Sequence, residues 1–175
     1  MTSFLSSLFK RGAQTGKTSS ANQVALITNF SACPLGVQLL DRLAESNARV
    51  VAVAHDAQRF EGKYDEDKVS LFDAFANEEE DRARLISFLM SKQMQVATLV
   101  QNQPFMLKPT VDEPLSKKED PARLQMLQEK VRILVEAPLY FAGDLFDSDL
   151  IASEARMLSI LHRQHGMYHL LRASQ

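Results

Sequence analysis

The chain has no tryptophan, a single cysteine (Cys33), and only six glycines and six prolines in 175 residues. One cysteine excludes an internal disulfide framework and is compatible with a reducing compartment, so the expected location is the cytoplasm. A net charge of −2 gives no field that would gather nucleic acid. No apolar run approaches the roughly 18–20 residues that span a bilayer, so any membrane contact would be peripheral. Scarce glycine also means that few positions come ready-made for left-handed turns or close backbone approaches. What is present is an apolar fraction of 45% and a charged fraction of 24%, enough for one domain with a real core.

Residues 1–22 contain no acidic residue and are rich in Ser, Thr and Gly, which reads as a flexible or amphipathic tail preceding a single domain over 23–175. Phe4, Leu5, Leu8 and Phe9 share a helical face ahead of Lys10 and Arg11. That pattern suits peripheral membrane or partner contact, and a cleaved organelle-targeting peptide has a similar composition. Gly12 and Gly16-Lys17-Thr18 suggest a P-loop, but the second glycine comes one position too early and no strand precedes it.

From Val24 the pattern alternates between strands and helices. Val24 to Thr28 is an apolar strand, Asn29 to Gly36 a loop, Val37 to Ala48 a helix, and Arg49 to Val53 a second strand. His55 to Lys68 is a polar loop, Val69 to Phe72 a third strand, and Asn77 opens a helix with Glu78, Glu79 and Glu80 in its first turn. Val96 to Val100 is a fourth strand. The three prolines Pro104, Pro109 and Pro114 make the following stretch a long loop. Another helix begins near Pro121 and is bent or interrupted at Pro138. A last helix, capped by Asp147 or Ser148, places Met157, Ile160, Leu161, Met167, Tyr168 and Leu171 on one stripe, and no fifth strand is evident. Helical crossovers between strands predict an α/β fold: a three-layer, Rossmann-like parallel sheet of about four to five strands with helices on both faces.

The acidic runs Asp65-Glu66-Asp67 and Glu78 to Asp81 read as a solvated loop and a helix start, and His162, His165 and His169 as a solvated flank, so no metal site is expected. Cys33 reads as a partly buried structural cysteine.

Val24 to Phe146 resembles the short-chain dehydrogenase/reductase family. Val24-Ala25-Leu26-Ile27-Thr28 is similar to its first strand, Leu39 to Glu45 to its first helix, and Asn47 to Asp56 to its second strand. Leu99 to Pro104 is similar to its Asn-Asn-Ala-Gly segment, Ala137 to Phe141 to its interface helix, and Pro109-Thr110 to the pteridine reductase subgroup. The resemblance implies a glycine-rich loop for a dinucleotide pyrophosphate, and the positions it assigns to the cofactor are Thr28, Asn29, Ser31, Pro34, Gly36 and Asn102. Asn29 and Pro34 stand where glycines are usual, and Pro34 removes an N–H and adds a ring. The family's Ser-Tyr-Lys chemistry has no counterpart: Tyr168 and Arg172 have the spacing, but on an apolar stripe, and Leu134 replaces an asparagine that orders a relay water. The chain ends at Gln175, near where that segment would begin, so a truncated form is expected.

These departures from the family pattern lead to the expectation of no catalytic residues, no cofactor, and a role through protein contacts. Its partner would be another protein or a second copy, engaged through helices around Leu124 to Phe146 and Met157 to Leu171. The alternative is an NAD(P)-dependent short-chain oxidoreductase with an atypical loop, using Asn102 and Tyr140.

Overall fold

The computed structural model describes residues 22–46, 48–102, 125, 128–129 and 131–160. Strand β1 (Gln23–Thr28) leads through a 3-10 turn (Phe30–Ala32) into α1 (Pro34–Glu45) and then β2 (Arg49–Ala54). A second 3-10 turn (Ala57–Phe60) precedes β3 (Val69–Asp73), α2 (Glu79–Ser91) and β4 (Gln95–Asn102). A π turn (Arg132–Glu136) runs into α3 (Ala137–Asp147), and β5 (Ile151–Ile160) follows. The sheet order is β3-β2-β1-β4-β5, and every pair is parallel. The expected α/β architecture is present.

Alternation along the central strands builds the layers. Val24 and Leu26 of β1, with Val51 and Val53 of β2, face α2 and α3 and pack on Leu85, Leu89, Phe141 and Leu145. Ala25 and Ile27, with Val50, Ala52 and Ala54, face the opposite side and pack on Leu39, Leu40 and Leu43 of α1. Both sets are buried, as parallel strands require when helices cover both faces. Outside the sheet, Tyr64 donates to Asp41 at 2.8 Å and Lys63 donates to the same oxygen at 3.0 Å, which fastens the loop before β3 to α1. Burial raises the Asp41 carboxyl, but these two hydrogen bonds outweigh it and hold the group below its ordinary value.

Few glycines did not prevent tight helix ends. Gln93 (φ 52°) follows α2 and Asp149 (φ 54°) follows α3, both left-handed. In each case two backbone bonds reach back, Gln93 N to Met90 O with Met94 N to Leu89 O, and Asp149 N to Phe146 O with Leu150 N to Leu145 O. These are Schellman closures made without glycine, each followed by a buried apolar residue, Met94 or Leu150.

That second closure corrects the sequence reading of the C-terminal segment. Asp147 and Ser148 end α3 rather than cap a new helix, and 151–160 is a fifth strand beside β4. The Met157 and Ile160 spacing fits a helix, but β4 offers an unpaired edge whose backbone groups need partners, and tertiary pairing overrides local preference. β5 advances from Ile151 to Arg156 while β4 advances only from Val96 to Thr98, so residues between them bulge out of the ladder.

Pro138 sits within the first turn of α3 and does not break it. Lacking an N–H to donate backward, it is preceded by the wider π turn, through which the helical path continues. Helix α2, which follows β3, also starts two residues later than expected, with Glu78 as its cap.

No helix among the described residues is long and apolar enough to cross a membrane. The tail with Phe4, Leu5, Leu8 and Phe9, the proline-rich loop, residues 161–175 with their histidines, Tyr168 and Arg172, and the Leu134 side chain lie outside the described set.

Candidate functional site

The sheet order reverses between β1 and β4, and in open α/β sheets the crevice beyond the carboxyl ends of the strands at such a point is where ligands sit. The residues assigned to a cofactor by sequence meet there. Thr28 and Asn29 are buried at the end of β1, and Asn102, fully buried, ends β4. The Asn102 amide Nδ2 donates to the Asn29 carbonyl at 2.8 Å and so ties the loop to the neighbouring strand.

Three jobs fall to glycines in a dinucleotide loop: a tight turn, close approach to the pyrophosphate, and close helix packing. Asn29 performs the first, adopting φ 51°, ψ 37°, which asparagine tolerates better than most residues. Gly36 performs the third. A Cβ there would lie 2.2 Å from the Phe30 carbonyl oxygen and 2.6 Å from Asn102 Nδ2. Pro34 holds the second position, at the start of α1, where it is comfortable for the helix but offers no N–H.

The start of α1 is instead capped from within. Cys33 is extended (φ −158°, ψ 159°), and its Sγ accepts from Gly36 N at 3.3 Å while its carbonyl accepts from the same N–H at 3.0 Å and from Val37 N at 3.4 Å. The half-buried thiol also lies 3.7 Å from both ends of the Asn102 amide. Cys33 is thus structural, a helix cap and loop contact.

Ser31 points the other way and donates its hydroxyl to the Asp56 carboxylate at the end of β2. Arg59 Nη1 donates to the other carboxylate oxygen at 3.2 Å. The Ser31 hydrogen bond is the main cause holding the Asp56 carboxyl below its ordinary range; burial opposes it, and Arg59 and His55 assist. Because the folded value is depressed, this tie adds stability above the unfolded carboxylate value and loses it as pH falls through the folded one. Ser31→Ala is expected to return the Asp56 carboxyl toward its ordinary value, checked by NMR titration of its side-chain carbon.

Beyond Asp56, the carboxyl ends of β2 and β3 enclose an open pocket of about 430 Å³ that the sequence alone did not reveal. Its wall is a stacked pair, His55 on Phe75, with ring centroids 4.6 Å apart and planes at 16°. Phe75 is 44% exposed, so its ring is accessible. Asp73 and Ala74 line the end of β3, and Gln58 and Arg84 complete the rim. Asp81 fixes the wall by accepting the Phe75 N–H at 2.7 Å, and it pairs with Arg84 at 2.7 Å. The guanidinium also reaches the Asp73 carbonyl and stands over Phe72 at 5.6 Å. The only sequence signal was the apolar-to-polar switch after each strand, at Ala54-His55 and Phe72-Asp73.

A planar base with exocyclic donors and acceptors suits such a site. The aromatic pair provides a face to stack on, and Asp73, Gln58 and Arg84 provide polar edges. Among the described residues no three His, Cys, Asp or Glu side chains are grouped as a metal would require. Tyr140, invoked for the alternative activity, is exposed on α3, whereas Asn102 spends its amide on the loop.

No known family pattern matches the chain, and no curated protein matches it. Solved structures do. A 3-ketoacyl-(acyl-carrier-protein) reductase from Brucella melitensis, complexed with NADH, superposes with a TM-score of 0.54 at 23% identity, covering 74% of this chain and 51% of its own. A short-chain dehydrogenase/reductase of the glucose/ribitol dehydrogenase type from the same organism gives 0.61 at 11% identity, covering 87% and 65%. The chain has the short-chain dehydrogenase/reductase fold. A short-chain dehydrogenase from Leptospira borgpetersenii with bound NAD+ gives 0.56 at 14% identity, covering 85% and 56%. The chain therefore spans between 51% and 65% of the length of these three proteins.

These neighbours correct the expectation of no cofactor. That expectation rested on Asn29 and Pro34 standing where glycines are usual, yet proteins with this short-chain dehydrogenase/reductase backbone are seen holding NADH and NAD+.

Proposed function

We propose that the chain is a nucleotide-binding module on the short-chain dehydrogenase/reductase fold, taking NAD(P) by its adenosine end in the pocket between His55 and Asp73. The alternative reading, an NAD(P)-dependent oxidoreductase with an atypical loop, is thereby favoured over a module without a ligand. The observation that carries it is the stacked His55–Phe75 wall, placed at the carboxyl ends of β2 and β3 and flanked by polar edges. Asp56 supports the unphosphorylated dinucleotide over its 2′-phosphate form, since a carboxylate at the end of β2 accepts from ribose hydroxyls and repels a phosphate. A bound dinucleotide would supply hydride chemistry, and this chain's part would be to hold and orient it.

Titrating the purified protein with NADH and with NADPH, followed by nucleotide fluorescence, tests this reading. NADH is expected to bind more tightly than NADPH, and Phe75→Ala to weaken it by on the order of tenfold, the usual worth of one base-stacking contact. No binding at millimolar concentration would sink the reading.

A second reading, contact with another protein, is favoured by one feature. Val131, Val135, Leu139, Tyr140 and Phe146 are exposed along the helix that ends as α3, Phe146 to 73%. A second copy of the chain is the partner proposed for this face. Leu139→Glu is expected to convert a dimer to a monomer in sedimentation velocity, and a wild-type chain that is monomeric at all concentrations would dismiss it.

A further inference from the structure

In a dinucleotide site much of the grip comes from backbone N–H groups at the first helix, which meet the pyrophosphate. Here three of the first four positions of α1 offer none. Pro34 has no N–H, Gly36 N is held by both the thiol and the carbonyl of Cys33, and Val37 N is held by the same carbonyl. The bare Cα of Gly36 is also committed, facing the Phe30 carbonyl and Asn102 rather than open space. The Ser31 hydroxyl of the same loop is turned to Asp56. By contrast the pocket beyond β2 and β3 keeps an accessible ring, Phe75, and a polar rim.

From this division we infer that the site recognises the adenosine moiety alone, and that a diphosphate attached to it adds no affinity. The inference rests on the nucleotide-binding reading above and narrows its ligand class. Adenine nucleosides and nucleotides that carry no 2′-phosphate would then compete for the site on nearly equal terms. The phosphates and whatever follows them would remain free to reach another surface.

Calorimetric titration of the full chain with adenosine, ADP and NADH, repeated on Phe75→Ala and Pro34→Gly, tests it. The three dissociation constants are expected to agree within about threefold, less than one net hydrogen bond to a charged group would supply. All three should weaken by on the order of tenfold in Phe75→Ala. Pro34→Gly, which restores an N–H and removes the ring, is expected to tighten ADP and NADH but not adenosine. ADP or NADH binding about thirtyfold more tightly than adenosine would overturn the inference while leaving the nucleotide-binding reading standing. Absence of binding by all three, or affinities indifferent to Phe75→Ala, would overturn both.

Discussion

Gly36→Ala is expected to destabilise the protein by about 3 kcal/mol, the combined result of overpacking and a broken buried hydrogen bond. The new methyl would lie 2.2 Å from the Phe30 carbonyl oxygen, 3.0 Å from its carbon and 2.6 Å from Asn102 Nδ2. None of these can yield cheaply. Phe30 is fully buried, with its ring against Phe60 at 4.9 Å, and Asn102 is anchored on Asn29. The helix cannot back away either, because Leu39, Leu40 and Leu43 seat it on the sheet. Alanine's better helix propensity returns only about 1 kcal/mol, so the clash wins. Urea unfolding should show a lower midpoint at unchanged slope. A midpoint equal to wild type would mean that α1 does not pack on the loop as described.

The second large effect is expected at Asn102, where aspartate has the same shape and the wrong chemistry. Asn102 is fully buried and donates to the Asn29 carbonyl at 2.8 Å. In Asn102→Asp an anionic oxygen would face that carbonyl, at a cost of about 3 kcal/mol near neutral pH. The carboxyl escapes part of the penalty by keeping its proton, whose O–H can donate in place of the amide, so its folded pKa lies above its unfolded one. Destabilisation is then smallest below the unfolded carboxylate value and grows as pH rises. Denaturant unfolding of both proteins at about pH 4.5 and about pH 7.5 should show the stability gap widening with pH. A gap that is the same at both values would contradict the buried amide-to-carbonyl contact.

The central layers were legible in the sequence because physical period and burial coincide. Val24 and Leu26 face one way and Ala25 and Ile27 the other, both buried, so the strand reads as a continuous apolar run. α1 was legible for the same reason, its Leu39, Leu40 and Leu43 falling on one side. β5 was not, since 151–160 is built from residues that a helix accepts equally well, and its strand state comes from β4's edge and from a turn at Asp149 that uses no glycine.

Of the site, the loop could be read and the pocket could not. Asn29 and Gly36 announce a turn and a close approach by residue type. His55 and Phe75 each look like ordinary loop residues, and only the parallel register, Val53 beside Phe72 and Ala54 beside Asp73, brings their rings together. Asn29 and Pro34 together alter only the pyrophosphate loop, whereas the pocket proposed for the adenosine end lies on other elements, at the ends of β2 and β3.

Chemical-shift mapping on isotope-labelled protein during titration with NADH tests the central claim most directly. The account predicts that amide shifts concentrate at residues 55–58 and 73–84 and that the His55 and Phe75 ring resonances move upfield as a base stacks on them. Shifts confined to α3, or no shifts at millimolar NADH, would contradict it.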